Sequence, residues 1–372
     1  MASSRRSSGE AAALSGGDQE TPGTGPPETA TISERVQVGV HQTPQHRDAL
    51  AMLRLRGAAR LDLLRRADAC RRAHFGDRVQ LCSIVAARRG GCREDCAFCA
   101  QSAHYATGLK AEPTIAPETV LRAAREAEGY GVSHFGIVTS GRSLPERDFR
   151  AVLEAVELVA RRTRLLVCAS LGALSSARAR ALAAAGCRRY NHNLETSQRF
   201  FGRICTTHRY ADRLATLRRA RAAGLQLCCG GIIGVGETEE DRVALAFALR
   251  DLAPEVIPIN VLVPIPGTPL AESPPLEPME VLATVAMFRL VNPGAILKVA
   301  GGRERALRDL QSWMFLAGAN ALIAGNYLAT AGRPAAEDLA MIRDLGLCVA
   351  RLDGEKGRRE PPWLKSLNRG WR

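Results

Sequence analysis

Lysine is almost missing from this chain. Of its 51 basic side chains only Lys110, Lys298, Lys356 and Lys365 are lysine, which leaves 47 arginines. No run of about 18 apolar residues occurs, so a transmembrane helix is not expected. An apolar secretory h-region is missing too. Eleven cysteines in 372 residues is an odd total at modest density, unlike a small disulfide scaffold. Reduced thiols in a cytoplasmic setting are expected, where clustered cysteines more often bind metal. Against these absences stands an apolar content of 46%. That supports a sizeable core and excludes wholesale disorder, and the length suits one large domain or two medium ones. The formal net charge is +13, which opens nucleic acid as a partner. The surplus is dispersed, however: residues 1–45 carry three basic and five acidic side chains, residues 351–372 seven and three, and the rest 41 and 30. No dense basic tract is left for nucleic acid.

Residues 1–45 are rich in Ser, Gly, Pro, Thr and Ala without apolar periodicity, and read as a disordered tail. Glu10, Asp18, Glu20, Glu28 and Glu34 disfavour a transit peptide, a class that avoids acids. Residues 351–372 read as a basic C-terminal tail. Between them, residues 46–350 read as one regular unit. A helix is expected over 48–74. Short apolar runs then follow at 78–86, 132–140, 164–172, 188–195, 225–235, 256–265, 295–302 and 321–326. Amphipathic stretches alternate with them at 117–129, 145–162, 175–185, 210–223, 238–252, 278–290, 303–318 and 335–346. Strands this short and apolar are expected where helices cover them. Gly186, Gly224, Pro254 and Gly346 punctuate the joins. Eight βα units in this length imply a closed (β/α)8 barrel, with an open doubly wound sheet as the alternative. A barrel places its chemistry at the C-terminal ends of the strands. The loop after the first strand, residues 87–116, is the longest.

That loop holds Cys92, Cys96 and Cys99 in a CxxxCxxC spacing. Three thiolates so close converge on one metal centre. A 4Fe–4S cube held by three cysteines keeps one iron open. S-adenosylmethionine can chelate such an iron, and its reductive cleavage gives a 5′-deoxyadenosyl radical that takes hydrogen from unactivated carbon. The competing reading is a structural zinc site with His104 as fourth ligand, in a basic protein that binds nucleic acid. All ligands in one loop, with Phe98 before the last cysteine, favour the radical pattern.

From about Arg65 to Leu347 the sequence resembles the biotin synthases of the radical S-adenosylmethionine superfamily. The resemblance rests on the cysteine loop through Gln101-Ser102-Ala103-His104-Tyr105, and on Tyr190-Asn191-His192-Asn193-Leu194-Glu195-Thr196-Ser197. It continues through Cys205-Thr206-Thr207-His208, the glycine block Gly230–Gly236, Pro258-Ile259-Asn260, Gly267-Thr268-Pro269-Leu270, Ala300-Gly301-Gly302-Arg303-Glu304 and Gly318-Ala319-Asn320. The cysteine loop alone marks only the superfamily; the later blocks in this order are specific. The resemblance implies a (β/α)8 barrel and insertion of one sulfur into dethiobiotin. It also implies an electron donor such as flavodoxin or ferredoxin, and a homodimer. A related radical enzyme acting on another small molecule is the nearest rival.

Alternation along a strand puts Asn191, Asn193 and Glu195 on one face, where two amides and a carboxylate inside a barrel call for ligands. By resemblance, Asn193 and Glu195 contact the adenosyl ribose or the substrate. Asn191 and Asn260 meet the cyclic urea of dethiobiotin, and Arg213 pairs with the carboxylate of S-adenosylmethionine. Its alternative is a solvated helix arginine. The resemblance further implies a second, sulfur-donating iron–sulfur cluster deeper in the barrel. Cys168 and Cys228 match its cysteines. Two departures stand out: Gly136 replaces a cysteine on the second strand, and Lys298 replaces an arginine on the seventh. A lysine is a point charge and not a planar fork. The expectation is a larger auxiliary cluster held by Cys168, Cys205 and Cys228, with Cys82 or Cys229 in reserve and Lys298 nearby. For Cys82 and Cys229 themselves the favoured reading is a buried structural thiol. The glycine block is read as backbone that approaches a bound cluster or adenosyl group closely.

Overall fold

The computed structural model describes residues 44–325 and 332–350. The tails expected at 1–45 and 351–372 lie outside these residues, apart from Pro44 and Gln45, as does the last residue of the strand expected at 321–326. The strands are β1 (Arg78–Arg88), β2 (His134–Thr139), β3 (Leu166–Ser170), β4 (Cys187–Asn191), β5 (Gln226–Cys228), β6 (Gly231–Ile233), β7 (Val256–Val261), β8 (Ile296–Val299) and β9 (Ala321–Ile323), with β10 (Cys348–Val349) at the margin. All pairings between these strands are parallel, in the order β1-β2-β3-β4-β5-β7-β8-β9, and β6 also pairs β7. β9 returns to β1 with Gln80 opposite Ala321 and Cys82 opposite Ile323. The sheet is therefore a closed eight-stave barrel, β5 and β6 forming one stave. The open-sheet alternative is excluded.

The fifth stave is interrupted at Cys229 and Gly230, where the backbone runs close to its neighbours. A Cβ at Gly230 would lie 1.8 Å from the Pro258 carbonyl oxygen, and one at Gly231 would lie 2.4 Å from that of Glu195. The stave passes too close to its neighbours for a side chain. Gly230 and Gly231 thus serve an approach to adjacent backbone.

The helices follow the expected alternation: α1 (His46–Arg54), α2 (Gly57–Phe75), α3 (Pro117–Gly129), α4 (Glu146–Arg162), α5 (Ser176–Ala184), the short α6 (Phe201–Ile204), α7 (Tyr210–Ala222), α8 (Glu239–Leu252), α9 (Pro278–Val291), α10 (Arg303–Leu307), α11 (Trp313–Leu316) and α12 (Ala335–Asp344). In α4 the buried positions are Phe149, Val152, Ala155, Val156 and Val159, the 3–4 spacing of a helix lying on a sheet. α8 starts at a capping box, Thr238 and Asp241 bonding each other's backbone amides. The single helix expected over 48–74 is two. Leu55 and Arg56 are extended, and Gly57 has φ +53°, open to glycine without strain. The turn lets α1 and α2 cover α9, whose residues are buried almost all round. α2 ends at Phe75, which joins Cys228, Val256, Ile296 and Ala321 in an apolar plug under the barrel. Among the described residues no helix is long and apolar enough to cross a membrane.

Candidate active site

A cavity of about 350 Å³ opens at the C-terminal end of the barrel and runs inward to Lys298. Cys92, Cys96, Cys99, Asn191, Asn193, Glu195, Arg213, Asn260 and Lys298 all line it. The structure thus brings together nine residues singled out from sequence. Cys168, Cys205 and Cys228 do not line the cavity.

The cysteine loop is held by the segment after α6. Ala97 N–H donates to the Ile204 carbonyl at 2.8 Å. The Asp95 carboxylate accepts from the Thr206 amide at 2.9 Å, the Thr207 amide at 3.2 Å, the Thr207 hydroxyl at 3.0 Å and Cys205 Sγ at 3.3 Å, and also from the Thr206 hydroxyl. Burial pushes the Asp95 carboxyl up, but the Thr206, Cys205 and Thr207 donors outweigh it and hold it well below the usual range. His104 lies exposed, its Nε2 2.9 Å from the Arg93 carbonyl. It is not gathered with the thiols, so the zinc ligand set expected for it does not form.

Cys205 corrects a second expectation. Its sulfur lies 3.9 Å from Cys96 Sγ and 3.2 Å from His208 Nδ1, beside the cysteine loop and not with Cys168 and Cys228. The reason is its place: it follows the fourth strand, and loops after strands collect at the open end. Cys96 donates to Cys205; that contact and burial raise Cys96. The same donor lowers Cys205 against its burial, with His208 and Thr207 assisting. Burial raises Cys99 to about 11.

A chain of polar contacts leads from the loop into the cavity. His208 Nδ1 bonds Glu94 Oε2, and Arg213 Nε donates to His208 Nε2 at 3.1 Å. One Arg213 terminal nitrogen donates to the Asn193 carbonyl at 2.9 Å and to Glu195 Oε1 at 3.2 Å. Asn193 reaches Glu195 Oε2 at 3.3 Å. Arg213 is only 8% exposed, which removes the solvated-helix reading. β4 ends at Asn191, sooner than expected. Beyond it Leu194 N–H still bonds the Gly230 carbonyl at 2.9 Å, and Glu195 turns at φ +70°. That rare conformation for a carboxylate residue aims Glu195 back at Arg213. Asn260 is clamped, its Nδ2 donating to the Gly231 carbonyl at 3.1 Å and its Oδ1 accepting from Gly301 N–H at 3.0 Å. Asn191 Oδ1 is buried without a partner.

Below the cavity, Cys82, Cys168 and Cys228 face the interior with Lys298, close enough to perturb one another. Lys298 Nζ lies 3.8 Å from Cys82 Sγ. Burial pushes the Cys168 thiol up to about 12 and raises Cys228 as well. At Gly136 a Cβ would meet Ile84 Cγ2 at 3.0 Å, so Ile84 fills the space where the resemblance implied a cysteine. Cys229 packs in the apolar core. The sequence reading missed Arg189, buried in the same chamber with Gln80 and His134. Inward alternation from Asn191 would have found it.

The radical S-adenosylmethionine superfamily model matches residues 89–249, and the Biotin and Thiamin Synthesis associated domain matches residues 258–348. Barrel, cysteine loop and these matches define the class: a radical S-adenosylmethionine enzyme. The chain is 46% identical over 350 residues to the biotin synthase of Nitratidesulfovibrio vulgaris (strain Miyazaki F), covering 92% of this chain and 96% of that one. It is 51% identical over 282 residues to that of Heliobacterium modesticaldum, covering 76% and 86%. The chain belongs to the biotin synthase family. Among solved structures, methylornithine synthase superposes with a TM-score of 0.75 at 19% identity, covering 88% of this chain and 99% of that one. The FeFe-hydrogenase maturase HydG from Carboxydothermus hydrogenoformans gives 0.73 at 15%, covering 86% and 79%. These two likenesses concern the fold.

Proposed function

We propose that the chain converts dethiobiotin to biotin by radical sulfur insertion. The observation that carries this reading is the single cavity that connects the three-cysteine loop, the Asn193–Glu195–Arg213 network and the amides of Asn191 and Asn260. Cys92, Cys96 and Cys99 would hold the 4Fe–4S cluster; three soft donors beside an open cavity fit a cluster with one free iron. With S-adenosylmethionine, that group supplies the 5′-deoxyadenosyl radical. Arg213, fixed by Glu195 and His208, presents a guanidinium to the cofactor's carboxylate. Asn193 and Glu195 bind its ribose or the substrate. Asn191 and Asn260 offer amide edges to the cyclic urea, and the orphaned Asn191 Oδ1 is an acceptor suited to a urea N–H.

Cys82, Cys168 and Cys228 would hold the auxiliary, sulfur-donating cluster, with Lys298 beside it. Three buried, inward-facing thiols within one chamber suit that donor set, because soft sulfur ligands are those that iron–sulfur clusters take. This set takes Cys82 in place of Cys205. Arg93, Arg203 and Arg209 stand exposed around the cysteine loop, a face suited to an acidic electron donor such as flavodoxin. Reduced clusters fit the cytoplasm.

Anaerobic incubation with dethiobiotin, S-adenosylmethionine and a reductant tests the reading. Biotin together with 5′-deoxyadenosine is the expected result. Deoxyadenosine without biotin would move the activity to another small molecule, and a colourless, zinc-loaded protein would refute radical chemistry altogether.

A further inference from the structure

Two cations are buried at the inner end of the cavity without an acid between them. Arg189 on β4 and Lys298 on β8 are each 4% exposed. Arg189 stands beside Cys168 of β3 and Gln226 of β5. One of its terminal nitrogens donates to Gln226 Oε1 at 3.0 Å, and its Nε–H is buried with no partner. Lys298 has Cys82 Sγ at 3.8 Å. Near the pair lie the thiols of Cys82, Cys168 and Cys228, the imidazole of His134 and, on the strand of Arg189, the thiol of Cys187. Among the described residues neither cation has a carboxylate partner. Burying a charge without a counter-charge is among the larger penalties a fold can carry. An orphaned N–H within the same chamber adds to it. Both are relieved by one anion seated against the three sulfurs.

We propose that Arg189 and Lys298 form a two-point clamp for an anionic iron–sulfur cluster in the chamber of Cys82, Cys168 and Cys228. The free Arg189 Nε–H is the donor to it, and Lys298 is the second counter-charge. The proposal rests on reading those thiols as the auxiliary-cluster site. Arg189 is here a positioning residue: it carries no bond to iron and touches no substrate. Gln226 fixes the guanidinium plane, so the donor stays directed while the cluster changes its charge. Two adjacent cations favour the more negative, reduced cluster and slow the loss of its sulfide.

The test uses the full chain carrying Cys92→Ala, Cys96→Ala and Cys99→Ala, reconstituted anaerobically with iron and sulfide, so that only the deep site is loaded. Iron content, midpoint potential by spectroscopic redox titration, and iron loss to a chelator are measured. In that background Arg189→Gln lowers the midpoint potential and speeds iron loss about tenfold, the effect of one charge-assisted hydrogen bond. Arg189→Lys keeps the charge but lacks the Nε–H, so it restores the potential while iron loss stays fast. Arg189→Lys decides the matter alone if Arg189→Gln does not fold. A protein that binds no iron without the loop cysteines overturns the reading of the deep site itself. A cluster that binds but keeps its potential and its iron-loss rate in the variants overturns the clamp only, and leaves Arg189 as a filler of the barrel floor.

Discussion

Asp95 sits between Glu94 and Cys96, yet its carboxylate faces away from the cavity and into residues 205–207. Replacing it with alanine removes the acceptor for two backbone amides, two hydroxyls and a thiol. A hydrogen bond to a charged group contributes about 1.5–3 kcal/mol net. The site is only partly buried, so water takes up some of the freed donors. A total near 3 kcal/mol is a reasonable sum for the latch, well below a count of five full bonds. At about 1.4 kcal/mol per factor of ten, the cluster-ready loop falls about a hundredfold in population. Asp95→Ala is therefore expected to assemble its loop cluster far more slowly than the parent, followed anaerobically by absorbance near 400 nm, and to lose iron faster to a chelator. Asp95→Asn keeps one acceptor oxygen and falls between. Thermal melting of the barrel moves little, because the latch holds a loop and not the core. An Asp95→Ala protein that assembles and retains its cluster at the parental rate would refute the idea that residues 205–207 template the loop.

Cys82→Ala should remove the deep-site iron while Cys205→Ala leaves it in place; iron analysis in a protein lacking the loop cysteines reads this, and the reverse pattern would restore Cys205 to the auxiliary site. Arg213→Lys cannot keep the bonds to His208, Asn193 and Glu195 together, so KM for S-adenosylmethionine rises about tenfold or more, as expected for losing a charge-assisted contact, with a smaller change in kcat; the yield of deoxyadenosine against cofactor concentration measures it. His134 is held well below its ordinary value, first by burial and then by Arg189 and Lys298. The unfolded chain therefore takes a proton at this site below about pH 6.5 while the folded one does not, and stability present above that pH declines by up to about 1.4 kcal/mol per unit below it. Urea titrations of the parent and His134→Gln from pH 7.5 to about 5.5 should differ in slope, and parallel curves would count against a neutral buried imidazole. The Arg303–Asp338 pair, 2.7 Å apart and fully buried, predicts that Asp338→Ala costs about 3 kcal/mol in chemical denaturation while KM stays unchanged.

Much of the barrel is legible in the sequence because its strands are short apolar runs punctuated by Gly and Pro, a local pattern. The breaks are not local. Gly230 admits no side chain because it meets the carbonyl of Pro258, 28 residues further along; the turn between α1 and α2 at Gly57 is marked only by a single glycine. The same distinction governs the cysteines. Cys82, Cys168 and Cys228 lie within strands and point inward, while Cys205 follows a strand. Strand position therefore separates these three from Cys205 at the mouth; matching cysteine to cysteine passes over that difference. Arg189 escaped notice among 47 arginines, although its alternation with Asn191 was visible.

The fourth strand and its extension show how direction orders the chemistry. Arg189 and Asn191 are alternate positions of β4, and Asn193 and Glu195 follow in the segment beyond it, where Glu195 turns at φ +70°. Arg189 stands at the level of Cys168, Asn191 beside Cys228, and Glu195 at the Arg213 network that leads to Glu94 of the cysteine loop. In the proposed reading the sulfur source lies at the inner end of this segment, the radical source at the outer end and the amide pair between. A substrate held by Asn191 and Asn260 then meets the radical from above and the sulfur from below without turning over. In that reading the cations at Arg189 and Lys298 face the thiols of Cys82, Cys168 and Cys228, where they would hold an anionic sulfur donor against the inner side of the amide pair.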